Sequence, residues 1–376
     1  MTEAINTRQI AHIDCAGGGQ VWVDGTTLYI GHMRHPHGTT VVDVADPTNP
    51  RVLASIEMPK GWHSHKVRVA DGLMVVNHEH QGANGEAGFD GGLAIYDVAN
   101  PAKPSLITKW TTPGNGVHRY DFDGRHAYIS PTAEGYVGNI VMILDLADPA
   151  RPEEVGRWAA PGQWRAGGED YPGDPADAPL RCHHPLRLGD RLYVSYWLHG
   201  FHILDIADPA NPRLVSSGNQ GGKRSHPTHT CLPFREPLGG RDIMVVADED
   251  VAKQFPAPPA GLKVFDISDE TAPTAIAEFQ VEELAGDDTP MPEMTGCHQP
   301  SDRWHGPVVP FAWFAQGLRL IDFSDPLNPR ETARYLPDAP SGGERPSSND
   351  VTMDDRGLLY LIDRRHGVDI IETSVF

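Results

Sequence analysis

The chain repeats a short apolar run that ends in an acidic residue and leads, in six copies, into a proline-containing turn. The first copy reads GTTVVDVADPTNP from Gly38, and the fourth reads GFHILDIADPANP from Gly200. Successive acidic residues are 54, 48, 60, 61, 56 and 50 positions apart. A period of this length predicts a propeller or a solenoid of supersecondary units. The acidic residues are Asp43, Asp97, Asp145, Asp205, Asp266, Asp322 and Glu372.

Each repeat contains four β-strand patterns. In the first repeat these are residues 21–24, 27–31, 39–44 and 51–57, and a glycine-containing turn joins the first two. The Asp-Pro-x-x-Pro segment predicts a rigid turn before the fourth strand, since proline fixes φ and aspartate bonds the local backbone. Each repeat therefore predicts one four-stranded antiparallel blade.

The seventh repeat has a third strand but no fourth strand after it. Residues 8–15 (RQIAHIDC) match the pattern of the fourth strand at 51–57 (RVLASIE). We therefore predict an all-β fold with one domain, residues 1–376. It is a seven-bladed β-propeller in which an N-terminal strand (7–15) completes the last blade with residues 366–376. Such closure removes the open edge that a solenoid would leave.

The repeated apolar-x-apolar-apolar-Asp run, followed by an Asp-Pro-x-x-Pro turn, resembles the LVIVD-repeat family. The resemblance covers nearly the whole chain and implies a propeller. It says little about activity, because the propellers of this family are mostly of unassigned function.

The composition of the chain limits which partners and which cellular compartment we expect. The net charge is −20 and no Lys/Arg run occurs, so we expect neither nucleic acid nor an anionic membrane as a partner. No signal peptide or transmembrane run is apparent, and the four cysteines form no CxxC pair. We expect a reduced, cytoplasmic protein with a small-molecule substrate, and the oligomeric state stays open.

Histidine recurs at the residue that precedes the first predicted strand of each repeat. In a propeller this strand lies closest to the central axis, so its first residues converge there. Five of the seven aligned positions are histidine, in a chain with 19 histidines among 376 residues. These inner positions are Gln20, His65, His118, His184, His229, His298 and Asp350.

Converging neutral imidazoles favour a transition-metal site. We predict that three or four of the five histidines bind Fe or Cu, with Mn or Zn also possible. The alternative is that the histidines bond neighbouring loops and water and close the channel. The sequence leaves open which histidine faces inward in the pairs 63/65, 183/184 and 226/229.

A second set of polar residues follows the second strands on the same rim. From it we predict Tyr196, Glu79, His78 and Asp248 as catalytic residues, with carboxylates fixing histidine tautomers. Lys66 and Arg364 are candidates for binding a substrate anion. Residues 161–181 are the candidate lid. Further candidates are His32, Asp363, Asp250, Glu134, Glu293 and the histidines His63, His183 and His226.

Two other propeller families are similar in architecture. Carotenoid-cleavage oxygenases hold iron with four histidines, and the selenium-binding protein/methanethiol oxidase family has a histidine-bound metal, with HPTHTC at 226–231 resembling its His-Thr-His segments. Oligogalacturonate lyase is a further precedent, in which histidines and a glutamine hold manganese. These are analogies at the level of the fold.

We therefore expect a metal-dependent oxidoreductase or oxygenase acting on a small molecule. The first alternative is a metal-dependent lyase or hydrolase, in which a histidine or Tyr196 moves the proton. The second is a scaffold without enzymatic activity that binds a protein partner. The histidines disfavour the scaffold, because protein-binding surfaces favour aromatic and arginine anchors.

Overall fold

The computed structural model describes residues 3–80, 91–174, 180–218, 226–249, 259–284, 294–338 and 345–376. The chain is a seven-bladed β-propeller, as predicted, and each blade is a sheet of four antiparallel strands with two sheets extended by a further strand. No α-helix occurs among the described residues, and no helix there is long and apolar enough to cross a membrane.

The first four blades follow the chain order. Blade 1 contains β3 (Gly18–Asp24), β4 (Thr27–His32), β5 (His37–Asp43) and β6 (Arg51–Glu57). Blade 2 contains β8 (Val67–Ala70), β9 (Leu73–His80), β10 (Gly92–Asp97) and β11 (Ser105–Thr111), with β7 (Trp62–His63) also paired to β9. Blade 3 contains β12 (Val117–Phe122), β13 (His126–Pro131), β14 (Val141–Asp145) and β15 (Glu153–Trp158). Blade 4 contains β16 (His184–Leu188), β17 (Arg191–Ser195), β18 (Phe201–Asp205) and β19 (Arg213–Gly218).

The last three blades include the two strands from the N-terminus. Blade 5 contains β20 (Thr228–Pro233), β21 (Ile243–Asp248), β22 (Leu262–Asp266) and β23 (Thr274–Phe279). Blade 6 contains β24 (Gln299–Pro300), β25 (Val308–Trp313), β26 (Gly317–Asp322), β27 (Arg330–Leu336) and β1 (Glu3–Ile5). Blade 7 contains β28 (Ser348–Met353), β29 (Leu359–Asp363), β30 (Gly367–Thr373) and β2 (Thr7–Ile13). Two short 3₁₀ turns lie at Arg165–Gly167 and Glu282–Leu284.

The chain divides into two compact units. Unit 1 comprises Met1–Ile30, Val42–Val52 and Gly221–Phe376, and unit 2 comprises Gly31–Val41 and Leu53–Gln220. Each unit has apolar cores between successive sheets. In unit 2, for example, Val75, Tyr120 and Met142 come from blades 2 and 3 and belong to one buried cluster.

The repeated aspartate explains why the blades resemble one another. In six repeats its carboxylate accepts a hydrogen bond from the backbone N–H two residues later, at 2.8 to 3.0 Å, as Asp205 does from Ala207 at 2.9 Å. The next Asp or Asn makes the same kind of turn, as Asn100 does with Ala102. Two consecutive side-chain turns thus direct the chain from the third strand into the fourth.

The N-terminus closes the propeller as predicted, because β2 pairs antiparallel with β30. The sequence analysis missed the preceding strand, β1, which pairs with β27 of blade 6. Asn6 joins the two strands at a φ of 55° and donates a hydrogen bond to Thr332 O at 2.8 Å. One N-terminal segment therefore fastens two successive blades.

We predict that Asp205→Ala lowers the free energy of unfolding by about 1 kcal/mol, the usual contribution of one hydrogen bond. Asp205→Asn keeps an acceptor for Ala207 N–H and should lose much less. Urea denaturation of both variants measures the difference. If Asn destabilises as much as Ala, the turn hydrogen bond is not the cause.

A second prediction concerns the pH dependence of closure at His12. Its Nδ1 lies 2.7 Å from Asp369 Oδ1 of β30, and this hydrogen bond raises the pKa of His12. The charged form therefore stabilises the fold below the ordinary histidine pKa, and that contribution is lost as the pH rises through the raised value. His12 is 41% exposed, so we expect about 0.5 kcal/mol. His12→Gln should lower stability at pH 5.5 and leave it nearly unchanged at pH 9 in urea titrations; an equal loss at both pH values would contradict this.

Candidate metal centre

Three innermost strands of unit 2 carry the histidines that the sequence aligned. His65 lies two residues before β8, His118 lies within β12, and His184 begins β16. The pairing of β12 with β13 is irregular between Val117 and Tyr120, so His118 lies in a β-bulge. Bulges redirect side chains beside functional sites.

A polar residue in each second strand holds the backbone beside these histidines, and the sequence analysis did not single it out. Asn77 Oδ1 accepts from Lys66 N at 2.8 Å, Ser130 Oγ from Arg119 N at 2.9 Å, and Ser195 Oγ from His184 N at 3.0 Å. All three are fully buried. The available signal was a polar residue that ends an otherwise apolar run in three successive repeats.

Four imidazoles of unit 2 lie side by side and form what we call the imidazole cluster. Its members are His63, His65, His118 and His183. Ring centroids are 4.3 Å apart for His63 and His65, 5.0 Å for His65 and His118, and 4.7 Å for His118 and His183. The imidazole cluster therefore contains both histidines of the 63/65 pair but only His183 of the 183/184 pair.

Glu79 orients His118 within the cluster. Glu79 Oε2 lies 2.7 Å from His118 Nδ1, and on the other side of the ring His118 Nε2 lies 2.9 Å from His183 Nε2. A carboxylate at this distance keeps the proton on Nδ1, so the Nε2 lone pair of His118 faces Nε2 of His183. Carboxylate–histidine pairs of this kind commonly lie behind protein metal sites.

His65 also presents its Nε2 atom. His65 is 1% exposed, and Nε2 has no hydrogen-bond partner among the residues that the structure describes. Asn77 Nδ2 lies 3.3 Å from His65 Nδ1 but closer to the carbonyl oxygens of Val117 (3.0 Å) and His118 (3.2 Å).

The cluster favours neutral imidazoles. Burial lowers the pKa of His65, and the neighbouring His63 and His118 lower it further. Burial also lowers the pKa of His118, with Arg181 and Arg119 adding to the effect. Burial raises the pKa of Glu79. Neutral imidazole is the form that binds metals.

One group of side chains has the geometry to hold a metal ion. His63, His65 and Glu79 each offer one ligand atom, and these atoms lie within 4.8 Å of one another. Together with the orphaned Nε2 of His65, this arrangement could hold a metal ion.

His184, a predicted ligand, is engaged elsewhere. Lys66 Nζ lies 2.8 Å from His184 Nε2, and both residues are fully buried. An ammonium group that donates to Nε2 occupies the lone pair that a metal would need. The structure therefore places His183 in the cluster and pairs His184 with a lysine.

Unit 1 holds the remaining predicted ligands. The rings of His229 and His298 are 4.2 Å apart, and His298 Nε2 lies 3.3 Å from Glu249 Oε2. On its other side, His298 Nδ1 donates to the carbonyl of Asn349. His229 lies where the pairing of β20 with β21 is irregular, so this histidine also has a bulged backbone. Whether these histidines bind metal stays a prediction.

The predicted catalytic residues have different surroundings. Glu79 belongs to the imidazole cluster, whereas His78 packs against Trp62 with burial lowering its pKa to about 3. Asp248 pairs with Lys263 at 3.1 Å, and burial raises its pKa to about 7. Tyr196 is fully buried, and its hydroxyl donates to Gln163 Oε1 and lies 3.3 Å from Ala160 N.

The structure also shows the surroundings of Arg364 and of three cysteines. Arg364 donates to Asn349 Oδ1 at 2.5 Å and lies over the ring of Phe314. The Cys182, Cys231 and Cys297 thiols are buried, which raises their pKa values. Asp250, Glu293 and part of the candidate lid (175–179) lie outside the described residues.

We predict that Tyr196→Phe lowers the free energy of unfolding by about 1 kcal/mol, because the hydroxyl fastens the connection around Gln163. Metal content should be unchanged, since Tyr196 contacts no member of the imidazole cluster in the described structure. Chemical denaturation and elemental analysis test both statements. Unchanged stability would contradict this structural role, and altered metal content would place Tyr196 beside the metal site.

Comparison with known proteins agrees with the fold. A sequence model of the LVIVD repeat matches residues 18–57, 87–112 and 188–219, so the chain carries LVIVD repeats. No curated protein matches the chain.

Solved structures that resemble the chain share its architecture at low sequence identity. One is "Structure of U3-55K", with 11% identity, coverage of 97% of this chain and 98% of that chain, and a TM-score of 0.63. The WD40 repeats of RRP9 give 11% identity, 98% and 97% coverage, and a TM-score of 0.61. A hypothetical selenium-binding protein from Sulfolobus tokodaii gives 14% identity, 90% and 83% coverage, and a TM-score of 0.60. At these identities the likeness concerns the fold alone.

Proposed function

We propose that the chain is a metal-dependent oxidoreductase that acts on a small molecule at the imidazole cluster of unit 2. His63, His65 and Glu79 would hold the ion, with iron or copper favoured and manganese or zinc as the other options. The observation that carries the proposal is that the ligand atoms of these three residues lie within 4.8 Å of one another. His118 would hold Glu79 in place through their 2.7 Å contact.

Hydrogen bonds and burial fix the ligand side chains in place before a metal ion binds. Glu79 keeps the proton of His118 on Nδ1, and burial keeps the imidazoles neutral. The buried hydrogen bonds of Asn77 and Ser130 fix the backbone beside the ligands, so little reorganisation is needed on binding. A bound iron or copper ion would supply electron transfer and open positions for oxygen or substrate.

A lyase or hydrolase is the second candidate, and one observation favours it. Glu79 belongs to the same ligand group as His63 and His65. A carboxylate ligand suits manganese or zinc as well as iron. Tyr196, the proton donor that the sequence predicts for this alternative, donates its hydroxyl hydrogen to Gln163 Oε1. A lyase would therefore need a histidine of the cluster as its acid or base.

Elemental analysis of untagged protein, purified without chelator, tests the proposal. We expect close to one equivalent of iron or copper in the wild type, and its loss in His63→Ala and His65→Ala. Glu79→Gln should weaken metal affinity at least tenfold, because it replaces a carboxylate ligand with an amide. His118→Ala should weaken affinity roughly tenfold to a hundredfold, as loss of an outer partner of a ligand usually does. His126→Ala is the matched control, because His126 lies at the start of β13 and pairs with Asp123 and Asp145.

The outcomes separate the candidates. Manganese, zinc or calcium in the wild type would replace the oxidoreductase with the lyase or hydrolase. Metal that survives both His63→Ala and His65→Ala would place the ion elsewhere. A metal-free wild type that also takes up no added ion would leave the scaffold as the surviving function.

A further inference from the structure

Blade 1 carries a histidine-rich turn that lies outside the imidazole cluster. Residues 32–37 read HMRHPH, so three of the chain's 19 histidines fall within six positions. The turn joins β4, which ends at His32, to β5, which begins at His37. We call residues 32–37 the histidine loop, and it belongs to unit 2, as the imidazole cluster does.

Hydrogen bonds hold the histidine loop in a defined conformation. His35 Nδ1 lies 2.8 Å from the carbonyl oxygen of Met58, and Met58 N donates to Pro36 O at 2.9 Å. Because a carbonyl oxygen only accepts, Nδ1 of His35 carries the proton and Nε2 carries the lone pair. His35 and His37 are both exposed, so an ion in solution can reach them.

His32 brings a further imidazole to the same place. The ring centres of His32 and His37 are 5.7 Å apart, and His32 Nε2 lies 2.8 Å from Thr40 Oγ1. An imidazole nitrogen binds a metal at about 2.0–2.1 Å, so two rings that share one ion have centres roughly 5 to 6 Å apart. The spacing of His32 and His37 therefore fits one shared ion, and Thr40 can accept the proton of the nitrogen that does not bind it.

A buried hydroxyl lies beside the histidine loop. Ser64 is 1% exposed, and its Oγ has no hydrogen-bond partner among the residues that the structure describes. Ser64 forms an antiparallel bridge with His32, and paired residues place their side chains on the same side of the ladder. Since an unsatisfied buried hydroxyl is costly, Ser64 favours an occupant that offers it a hydrogen bond.

We propose that the histidine loop is a second metal site, which binds a copper, nickel or zinc ion through His32, His35 and His37. The loop contains no carboxylate, and neutral imidazoles suit these ions better than Mg²⁺ or Ca²⁺. Water on the ion gives the Ser64 hydroxyl a partner. The inference goes beyond the proposed function and does not depend on it, because none of these residues belongs to the imidazole cluster.

Calorimetric titration of chelator-treated protein with Zn²⁺ tests the second site. We expect two equivalents in the wild type, one at the imidazole cluster and one at the histidine loop. His35→Ala and His37→Ala should each weaken one equivalent at least about tenfold, because losing a direct ligand costs more than losing an outer partner. Mg²⁺ should not bind at the loop.

Two controls keep the titration interpretable. His305→Ala removes an exposed histidine of unit 1 and should bind Zn²⁺ as the wild type does. Metal-free His37→Ala should unfold at the same urea concentration as the metal-free wild type, because the ring is exposed, and this excludes a folding defect as the cause.

Electron paramagnetic resonance of Cu²⁺ in His63→Ala/His65→Ala reads the ligands of the loop directly. We expect splitting from at least two imidazole nitrogens, and from fewer when His37→Ala is added. Splitting that His37→Ala leaves unchanged would contradict the assignment of His37 as a ligand.

The outcomes separate the second site from the proposed function. One equivalent that His63→Ala/His65→Ala removes, or two equivalents that both survive His35→Ala and His37→Ala, would overturn the loop site and leave the proposed centre standing. One equivalent that only His35→Ala and His37→Ala weaken would keep the loop site and sink the proposed centre. A wild type that binds no Zn²⁺ and no Cu²⁺ would overturn both.

Discussion

The architecture depends on a hydrogen bond between an aspartate carboxylate and the backbone N–H two residues later. This bond recurs at the same place in six repeats and sets how the third strand of a blade turns into the fourth. Because the turn is the same each time, the next innermost strand begins at an equivalent place in each blade. Histidines at the start of those strands therefore lie close together within a unit, although about 50 to 70 residues separate them in sequence.

Much of the fold could be predicted from the sequence, because a periodic sequence pattern indicates repeated local geometry. The acidic residue, the prolines and the apolar alternation specify a blade, and the match between residues 8–15 and 51–57 specifies the closing strand. The fourth strand of blade 1, Arg51–Glu57, has the predicted bounds. Strand β1 escaped prediction because Glu3–Ile5 has only three exposed residues, and its partner β27 is a long-range contact.

The site was less predictable, because it depends on side-chain direction. Periodicity aligned His65, His118 and His184, but it could not show that Lys66 bonds His184 or that His183 faces His118. Adjacent residues on a strand point to opposite sides, and a bulge of one residue exchanges them. The sequence predicted Glu79 as a functional residue but not its contact with His118, because His118 belongs to the next blade.

Charge gives the site of unit 2 its chemical character. Buried imidazoles kept neutral by their surroundings lie beside buried cations, and one oriented carboxylate fixes the tautomer of His118. Neutral nitrogen ligands suit a transition metal.

The most direct test of the metal centre is an anomalous difference map from crystals of the untagged protein, recorded on both sides of the absorption edge of the metal found. The account predicts a peak within bonding distance of the imidazole nitrogens of His63 and His65 and of the carboxylate of Glu79. A peak that lies away from these atoms, or one bound only by exposed surface residues, would contradict it.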